Sequence, residues 1–251
     1  MTTCERWLTS LESRHFSDLT FQEVSRALRA LSATYVERRD TILEGAALSG
    51  TGKRAAFALF YGPLHYLLIR QIVLALGDRA RGSSRAATLV DLGCGTGSAG
   101  AAWAESCRPS QLIGVDIHPW ALAEAAQTYR EFGLRAKTVR SDVMRFALPK
   151  SPAMILASYT VNELREADRS ALLPRLLERA AHGDRVLVVE PLARSAARWW
   201  STWTDAFVAA GGRADEWRFP AELPPLLAKL DRAAGLNHSQ LTGRSLYIGQ
   251  A

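Results

Sequence analysis

The sequence has few cysteines and no long uninterrupted apolar run. Its three cysteines, Cys4, Cys94 and Cys107, show no paired spacing. That pattern argues against a disulfide framework or a cysteine-rich metal site and is typical of a reducing cytoplasm. No run of about 18 consecutive apolar residues occurs, so the sequence predicts no membrane span and no membrane partner. The charged pair Glu5 and Arg6 stands where a signal peptide has its apolar core, and we therefore expect a cytoplasmic protein.

Lysine is also scarce, since only four of the 31 lysine and arginine residues are lysine. Arginine has a planar guanidinium that pairs well with phosphate. The net charge of +6 matches the local excess of residues 24–85, where ten basic side chains accompany four acidic ones. The basic residues there are Arg26, Arg29, Arg38, Arg39, Lys53, Arg54, Arg70, Arg79, Arg81 and Arg85. The excess predicts that residues 26–85 contact RNA or a ribosomal subunit, although a solvated arginine-rich face gives the same pattern.

Two segments of different pattern divide the chain. Residues 1–86 have apolar side chains at helical spacing and predict an N-terminal helical region. In residues 87–251, apolar strand-like runs alternate with helical segments. The runs are 87–93, 111–116, 136–142, 153–159, 185–191 and 245–249. This alternation predicts an α/β fold with a mostly parallel sheet covered on both faces.

The most informative stretch is Asp91-Leu92-Gly93-Cys94-Gly95-Thr96-Gly97, at the end of the first predicted strand. Glycines in such a turn permit positive φ and let a ligand approach the main chain. The glycines from Gly95 to Gly100 also fit the dinucleotide pattern G-x-G-x-x-G. Asp91 argues against that reading, because a carboxylate there repels a pyrophosphate and attracts a ligand ammonium group.

The ordered motifs DLGCGTG, VDIH and SDV resemble those of the class I S-adenosylmethionine (SAM)-dependent methyltransferases. The resemblance covers about residues 87–191 and implies a Rossmann-like methyltransferase sheet of seven strands that binds SAM and its product S-adenosylhomocysteine. It implies that Asp91 faces the methionine ammonium, Asp116 the ribose hydroxyls and Asp142 the adenine amino group. The other implied cofactor-binding residues are Gly93, Gly95, Gly97, Ile117, Val143 and Ser158.

In this fold the methyl group points toward the loop after the fourth strand, residues 157–164. Tyr159 is a candidate to stack on a planar acceptor, and Asn162 and Glu163 are candidates to position or deprotonate it. Tyr159 packed among helices and Glu163 in a helical first turn remain the structural alternatives. The loop lacks the Asn/Asp-Pro-Pro-Tyr/Phe motif of amino-methylating DNA enzymes, which disfavours that substrate class.

The stretch from Ala157 to Pro191 resembles the mitochondrial small-ribosomal-subunit methyltransferase-like family and its bacterial relatives, which carry a similar aromatic-x-x-x-Glu-Leu segment. The cysteine cluster of the mitochondrial members has no counterpart here, so no iron–sulfur cluster is implied. Bacterial 16S rRNA methyltransferases also place a basic helical region before a domain of this size. Their glycine loop continues Asn-Pro, whereas this one continues Thr96-Gly97-Ser98.

Three functions follow from these patterns. The first is a SAM-dependent methyltransferase that acts on RNA, with ribosomal RNA as the expected substrate. The second is a small-molecule methyltransferase whose N-terminal helices form a lid. The third is a non-catalytic SAM-binding ribosome assembly factor, because an intact glycine loop indicates cofactor binding but does not by itself indicate transfer.

Overall fold

A computed structural model describes residues 1–37, 49–81, 87–150, 152–192 and 199–249. The α-helices are α1 (Thr3–His15), α2 (Phe21–Glu37), α3 (Thr51–Ala56), α4 (Gly62–Leu76), α5 (Asp78–Arg81), α6 (Ser98–Cys107), α7 (Pro119–Glu131), α8 (Glu166–Ala181), α9 (Trp199–Ala209) and α10 (Pro225–Ala233). A π-helical turn, Phe57–Tyr61, joins α3 to α4, and a 3₁₀ turn, Val161–Glu163, follows the fourth strand.

The strands are β1 (Thr88–Leu92), β2 (Gln111–Asp116), β3 (Ala136–Arg140), β4 (Ala153–Ser158), β5 (Arg185–Glu190), β6 (Arg213–Pro220) and β7 (Gln240–Ile248). They form one seven-stranded sheet in the order β3-β2-β1-β4-β5-β7-β6. The first five strands pair in parallel, and β7 runs antiparallel to β5. This arrangement confirms the predicted seven-stranded, mostly parallel Rossmann-like sheet.

Helices pack against both faces of the sheet. Side chains alternate between the two faces along a strand, so each strand contributes residues to both packing layers. On one face, a core cluster joins Val90, Ile155 and Val186 to Leu176 of α8 and Phe207 of α9. On the other face, two glycines allow helices to lie close to the strands. A Cβ on Gly114 would lie 2.7 Å from the Tyr129 hydroxyl of α7, and one on Gly243 would lie 2.9 Å from Leu68 of α4.

The chain forms two compact units. The helical unit comprises residues 1–65 and 220–241, and the sheet unit comprises residues 66–219 and 242–251. Buried Trp7, Leu28 and Leu230 contribute to the core of the helical unit.

The extents of these units differ from the predicted division of 1–86 and 87–251. Most of α4 and all of α5 group with the sheet, because the Tyr66 hydroxyl donates to Glu105 at 2.7 Å and Tyr247 donates to the Arg79 carbonyl. Residues 82–86, where the predicted boundary falls, lie outside the described residues.

One continuous helical stretch, Thr51–Leu76, is long and apolar enough to cross a membrane by length and composition alone. In its most apolar window, 61% is buried inside the structure. A core helix passes the same test, so the stretch is weak evidence for a membrane span.

Candidate functional site

The order of the strands reverses between β1 and β4, and crevices at such a point hold ligands in open α/β sheets. The glycine loop leaves β1 here, and the loop that starts at Tyr159 leaves β4 beside it. Gly93 and Gly97 have φ of 67° and 78°, in the left-handed region that glycine adopts without strain. The predicted cofactor loop and acceptor loop therefore flank one crevice.

Side chains of the protein fill the space beside three glycines, two in the glycine loop and one in the first turn of α6. A Cβ on Gly93 would lie 2.4 Å from the Thr160 hydroxyl oxygen, which donates to the Leu92 carbonyl at 2.8 Å. A Cβ on Gly97 would meet the Tyr129 ring at 2.8 Å, and one on Gly100 would meet Asp91 Oδ2 at 2.5 Å. These glycines are thus required for packing of the loop, whatever contact they make with a cofactor.

Asp91 lies on β1 and is only 1% exposed. Its Oδ2 accepts a hydrogen bond from the Gly100 amide at 3.0 Å, and Tyr129 donates to the same oxygen at 3.5 Å. Its Oδ1 is buried without a hydrogen-bond partner. Burial and, to a smaller extent, the nearby Asp116 charge raise the pKa of this carboxyl to about 7. A cationic group would satisfy the unpaired oxygen, as the ammonium of SAM does in the predicted role.

Asp116 ends β2 and holds the glycine loop against that strand. Its Oδ2 accepts from the Gly95 amide at 2.9 Å, and its Oδ1 accepts from the His118 amide at 2.8 Å. A carboxylate has about four lone-pair sites, so two acceptor sites remain for hydroxyl groups. Ile117 follows and is 47% exposed, unusual for a large apolar side chain. Asp116 thus offers acceptor oxygens for the hydroxyl groups of a ribose, and Ile117 offers an apolar surface for the adjoining base.

The three remaining predicted cofactor residues have different surroundings. Asp142 is exposed, and its Oδ1 accepts from the Met144 amide at 2.7 Å, as in a capped turn. Val143 is 8% exposed and belongs to the core cluster, so little of its side chain is available to a ring. The Ser158 hydroxyl is buried without a hydrogen-bond partner. Their cofactor contacts stay predictions.

In the acceptor loop, Tyr159 has a φ of 58°, which is uncommon for a residue with a side chain. Its amide donates to the Val189 carbonyl at 2.8 Å, which fixes this conformation at the end of β4. Burial raises the pKa of its hydroxyl, and the Glu190 charge raises it further, so Tyr159 is a neutral group. The Asn162 amide oxygen accepts from Trp199 Nε1 at 3.0 Å. The side-chain oxygen of Asn162 is therefore occupied by a hydrogen bond from a tryptophan of α9.

Two carboxyl groups beside this loop have pKa values near neutrality. Glu163 is accessible to solvent yet lies among protein atoms at the crevice. The resulting loss of hydration, together with the Asp116 charge, raises its pKa to about 7. Glu190, at the end of β5, is fully buried, and burial raises its pKa to about 8. Its Oε1 accepts from the Asn162 amide at 3.1 Å. Both groups change protonation within the physiological pH range.

Sequence reasoning missed Thr160 and Arg244. Thr160 joins the two loops through its bond to the Leu92 carbonyl. Arg244 lies on β7 directly opposite Glu190 on β5, and its guanidinium carbon lies 4.1 Å from the ring centroid of Trp200. Only the pairing of distant segments brings these residues together, so no local sequence signal marks them.

The sheet is mostly parallel, reverses its order at a glycine loop and carries an acid near the carboxyl end of each of its first two strands. These features define a SAM-binding domain of the Rossmann-like methyltransferase fold. Residues 89–183 match the family model described as a methyltransferase domain. This match and the shared fold support a SAM-dependent methyltransferase domain with SAM as its cofactor. No curated protein sequence matches this chain.

Solved structures share this fold at low sequence identity. The chain is similar to the mitomycin 7-O-methyltransferase MmcR, with 18% identity, a TM-score of 0.51 and coverage of 88% of this chain. It spans only 60% of that protein's length. It is also similar to SAM-bound magnesium protoporphyrin IX methyltransferase from Synechocystis PCC 6803, with 14% identity, a TM-score of 0.51 and coverage of 93% of this chain and 99% of that one. These similarities concern the fold.

Proposed function

We propose that this enzyme methylates an O–H or N–H group of a small molecule bound beside the loop of residues 158–163. The observation that carries the proposal is the position and protonation of Glu163. It ends the 3₁₀ turn after β4, is accessible to solvent, and has a pKa of about 7. A proton acceptor is most effective when its pKa is near the working pH.

The residues of the crevice divide between cofactor and acceptor. Asp91 and Asp116 hold the ammonium and the ribose of SAM, and Ile117 lies against the adenine. SAM supplies a methyl group on a positively charged sulfur, which makes that methyl electrophilic. Glu163 takes the proton that the acceptor loses, and the Thr160 bond to β1 keeps the acceptor loop against the cofactor loop.

The charge of the crevice supports a small acceptor over a polyanion. Asp116 raises the pKa values of both Asp91 and Glu163, and Glu163 raises that of Glu190, so these four carboxyl groups lie within electrostatic reach of one another. A phosphate chain that entered here would meet negative charge. A neutral molecule has no such penalty, and a single carboxylate has a smaller one than a phosphate chain.

The test is to incubate the enzyme with methyl-labelled SAM and, in parallel, with the dialysable fraction of a cell extract or with purified ribosomal RNA. We expect label in an extractable small molecule, lost in the Asp116→Ala variant. Label that enters RNA instead would overturn the proposal in favour of the second candidate. Label in neither acceptor would contradict both.

RNA is the second candidate, and one feature of the helical unit favours it. Arg26 and Arg29 are exposed on α2, and Lys53 is half-buried on α3. The two helices touch where Ala27 lies against Gly52, so these cations belong to one pair of packed helices. Arg38, Arg39 and Arg85 lie outside the described residues, as does the side chain of Arg81. The salt dependence of RNA binding tests this candidate.

A further inference from the structure

Arg244 and Glu190 form a buried pair of charged residues whose polar atoms are not all satisfied. They lie directly opposite each other on β7 and β5 and are 6% and 0% exposed. Yet Arg244 Nε and Nη2 and Glu190 Oε2 make no hydrogen bond. Buried polar groups almost always have a partner, so each exception in a folded protein calls for an explanation.

The unpaired atoms of Arg244 are the two that bind a carboxylate side-on. Arg213 of this chain shows the geometry, because its Nε and Nη2 donate to the two carboxylate oxygens of Asp215 at 2.7 and 2.6 Å. Such a two-point contact adds geometric specificity to the charge attraction. Arg244 thus presents one complete carboxylate-binding edge with nothing bound to it.

The surroundings of this edge are aromatic and lie beside the acceptor loop. Trp200 covers one face of the guanidinium, and its ring centroid is 5.4 Å from that of Trp199. Trp199 in turn donates to Asn162, whose amide holds Glu190. The charges of Glu190 and Glu216 both act on Arg244, and burial raises the pKa of Glu190 to about 8, which makes Glu190 a weak counterion at neutral pH.

We propose that Arg244 binds a carboxylate of the methyl acceptor through Nε and Nη2, and that the acceptor is a planar aromatic acid seated against Trp199 and Trp200. The inference rests on the proposed function and names the substrate class of that site. Both nitrogens are closed off from solvent here, so the half-buried Trp200 side chain moves when the acid enters.

Benzoate and its neutral analogue benzamide are the probes, measured by calorimetry on the SAM-loaded full-length enzyme at neutral pH. We expect benzoate to bind at least about tenfold more tightly than benzamide. Arg244→Lys, which keeps the charge but loses the planar edge, should weaken benzoate binding by about tenfold or more. Arg244→Gln should abolish the preference. Arg213→Gln is the matched control, because that arginine already holds Asp215, and it should bind benzoate like the wild type.

Equal binding of benzoate and benzamide, or benzoate binding unchanged in Arg244→Lys, would overturn the inference and leave Arg244 as a counterion of Glu190. Thermal unfolding of each variant separates a lost site from a lost fold, and Arg244→Lys is the variant expected to stay folded. The binding readout needs no methyl transfer. If the label enters only RNA while benzoate still requires Arg244, the proposed function fails and the anion site stands.

Discussion

The protonation of a single buried carboxylate, Asp91, should make SAM affinity depend on pH. Its raised pKa of about 7 means that the carboxyl is largely protonated in mild acid. A ligand ammonium binds the ionised form, so affinity should increase as the pH rises toward that pKa. We expect SAM affinity to rise roughly tenfold between about pH 5.5 and pH 7, a range below the pKa of the ligand's own amino group.

Titration calorimetry at several pH values checks this expectation. In Asp91→Asn the affinity should be low and nearly independent of pH. Asp142→Asn is the control, since Asp142 is exposed and its removal should leave the pH dependence intact. An unchanged pH dependence in Asp91→Asn would show that another group is responsible.

Asp116 should contribute to SAM affinity through its two remaining acceptor sites. Hydrogen bonds to a charged group are worth about 1.5–3 kcal/mol, so Asp116→Ala should weaken SAM binding by roughly 10- to 150-fold. The carboxylate also holds the Gly95 and His118 amides, and thermal unfolding must therefore be measured alongside calorimetry. Unchanged SAM affinity in a folded variant, or tight binding of NAD by the wild type, would refute the assigned role.

Glu163 should give the pH profile of the methyl-transfer rate an acidic limb. Its pKa is raised to about 7, and a proton acceptor acts only when ionised, so the rate should fall as the pH drops below that value. Glu163→Gln should lower kcat on the order of 10²-fold and remove this limb. Glu166→Gln, an exposed neighbour in the first turn of α8, is the control. If both variants keep the wild-type pH profile, alignment of the acceptor accounts for the rate without a base.

At the scale of secondary-structure elements, the turn after β1 should be intolerant of any side chain at Gly93. Gly93→Ala combines the cost of positive φ, about 1–2 kcal/mol, with a clash against Thr160. Gly133→Ala is a matched control, because Gly133 has a φ of 64° but nothing within 4 Å of the added Cβ. Denaturant unfolding should show a larger loss for Gly93→Ala than for Gly133→Ala. Equal losses would show that Thr160 moves aside freely.

Sequence predicted the elements whose signals are local. The first five strands match their predicted bounds within one or two residues, since most are apolar runs that end at a glycine, a proline or an acid. The strand β6, Arg213–Pro220, was missed because its charged residues alternate with half-buried ones at the edge of the sheet. The strand β7 begins at Gln240, five residues before its predicted start, because its first half is polar.

The site shows the same division between local and distant signals. Asp91, Asp116 and Glu163 follow from motifs that a strand end makes visible in sequence. Arg244 does not, because one arginine among many becomes distinctive only when β7 aligns it with Glu190. The near-neutral pKa values of Glu163 and Glu190 likewise depend on burial and on neighbours from other strands.

At the scale of the whole molecule, the question is whether the positive charge of residues 26–85 binds RNA. Cationic side chains on phosphates release counterions, so affinity falls with salt. Contact with about four phosphates predicts a slope of roughly −3 to −4 for log affinity against log salt. Changing Arg26, Arg29 and Lys53 together to alanine should flatten that slope by about 2–3, because up to three contacts are lost.

Filter binding to ribosomal RNA at several salt concentrations measures the slope, with SAM calorimetry as a check that the sheet unit is intact. A control variant changes three exposed arginines outside this segment, Arg130, Arg135 and Arg145, and removes the same charge. If charge alone attracts RNA, both variants should flatten the slope equally, which would refute a defined RNA surface on α2 and α3. If the wild type binds no RNA at low salt, the cations are a solvated face, and the acceptor must be sought among small molecules.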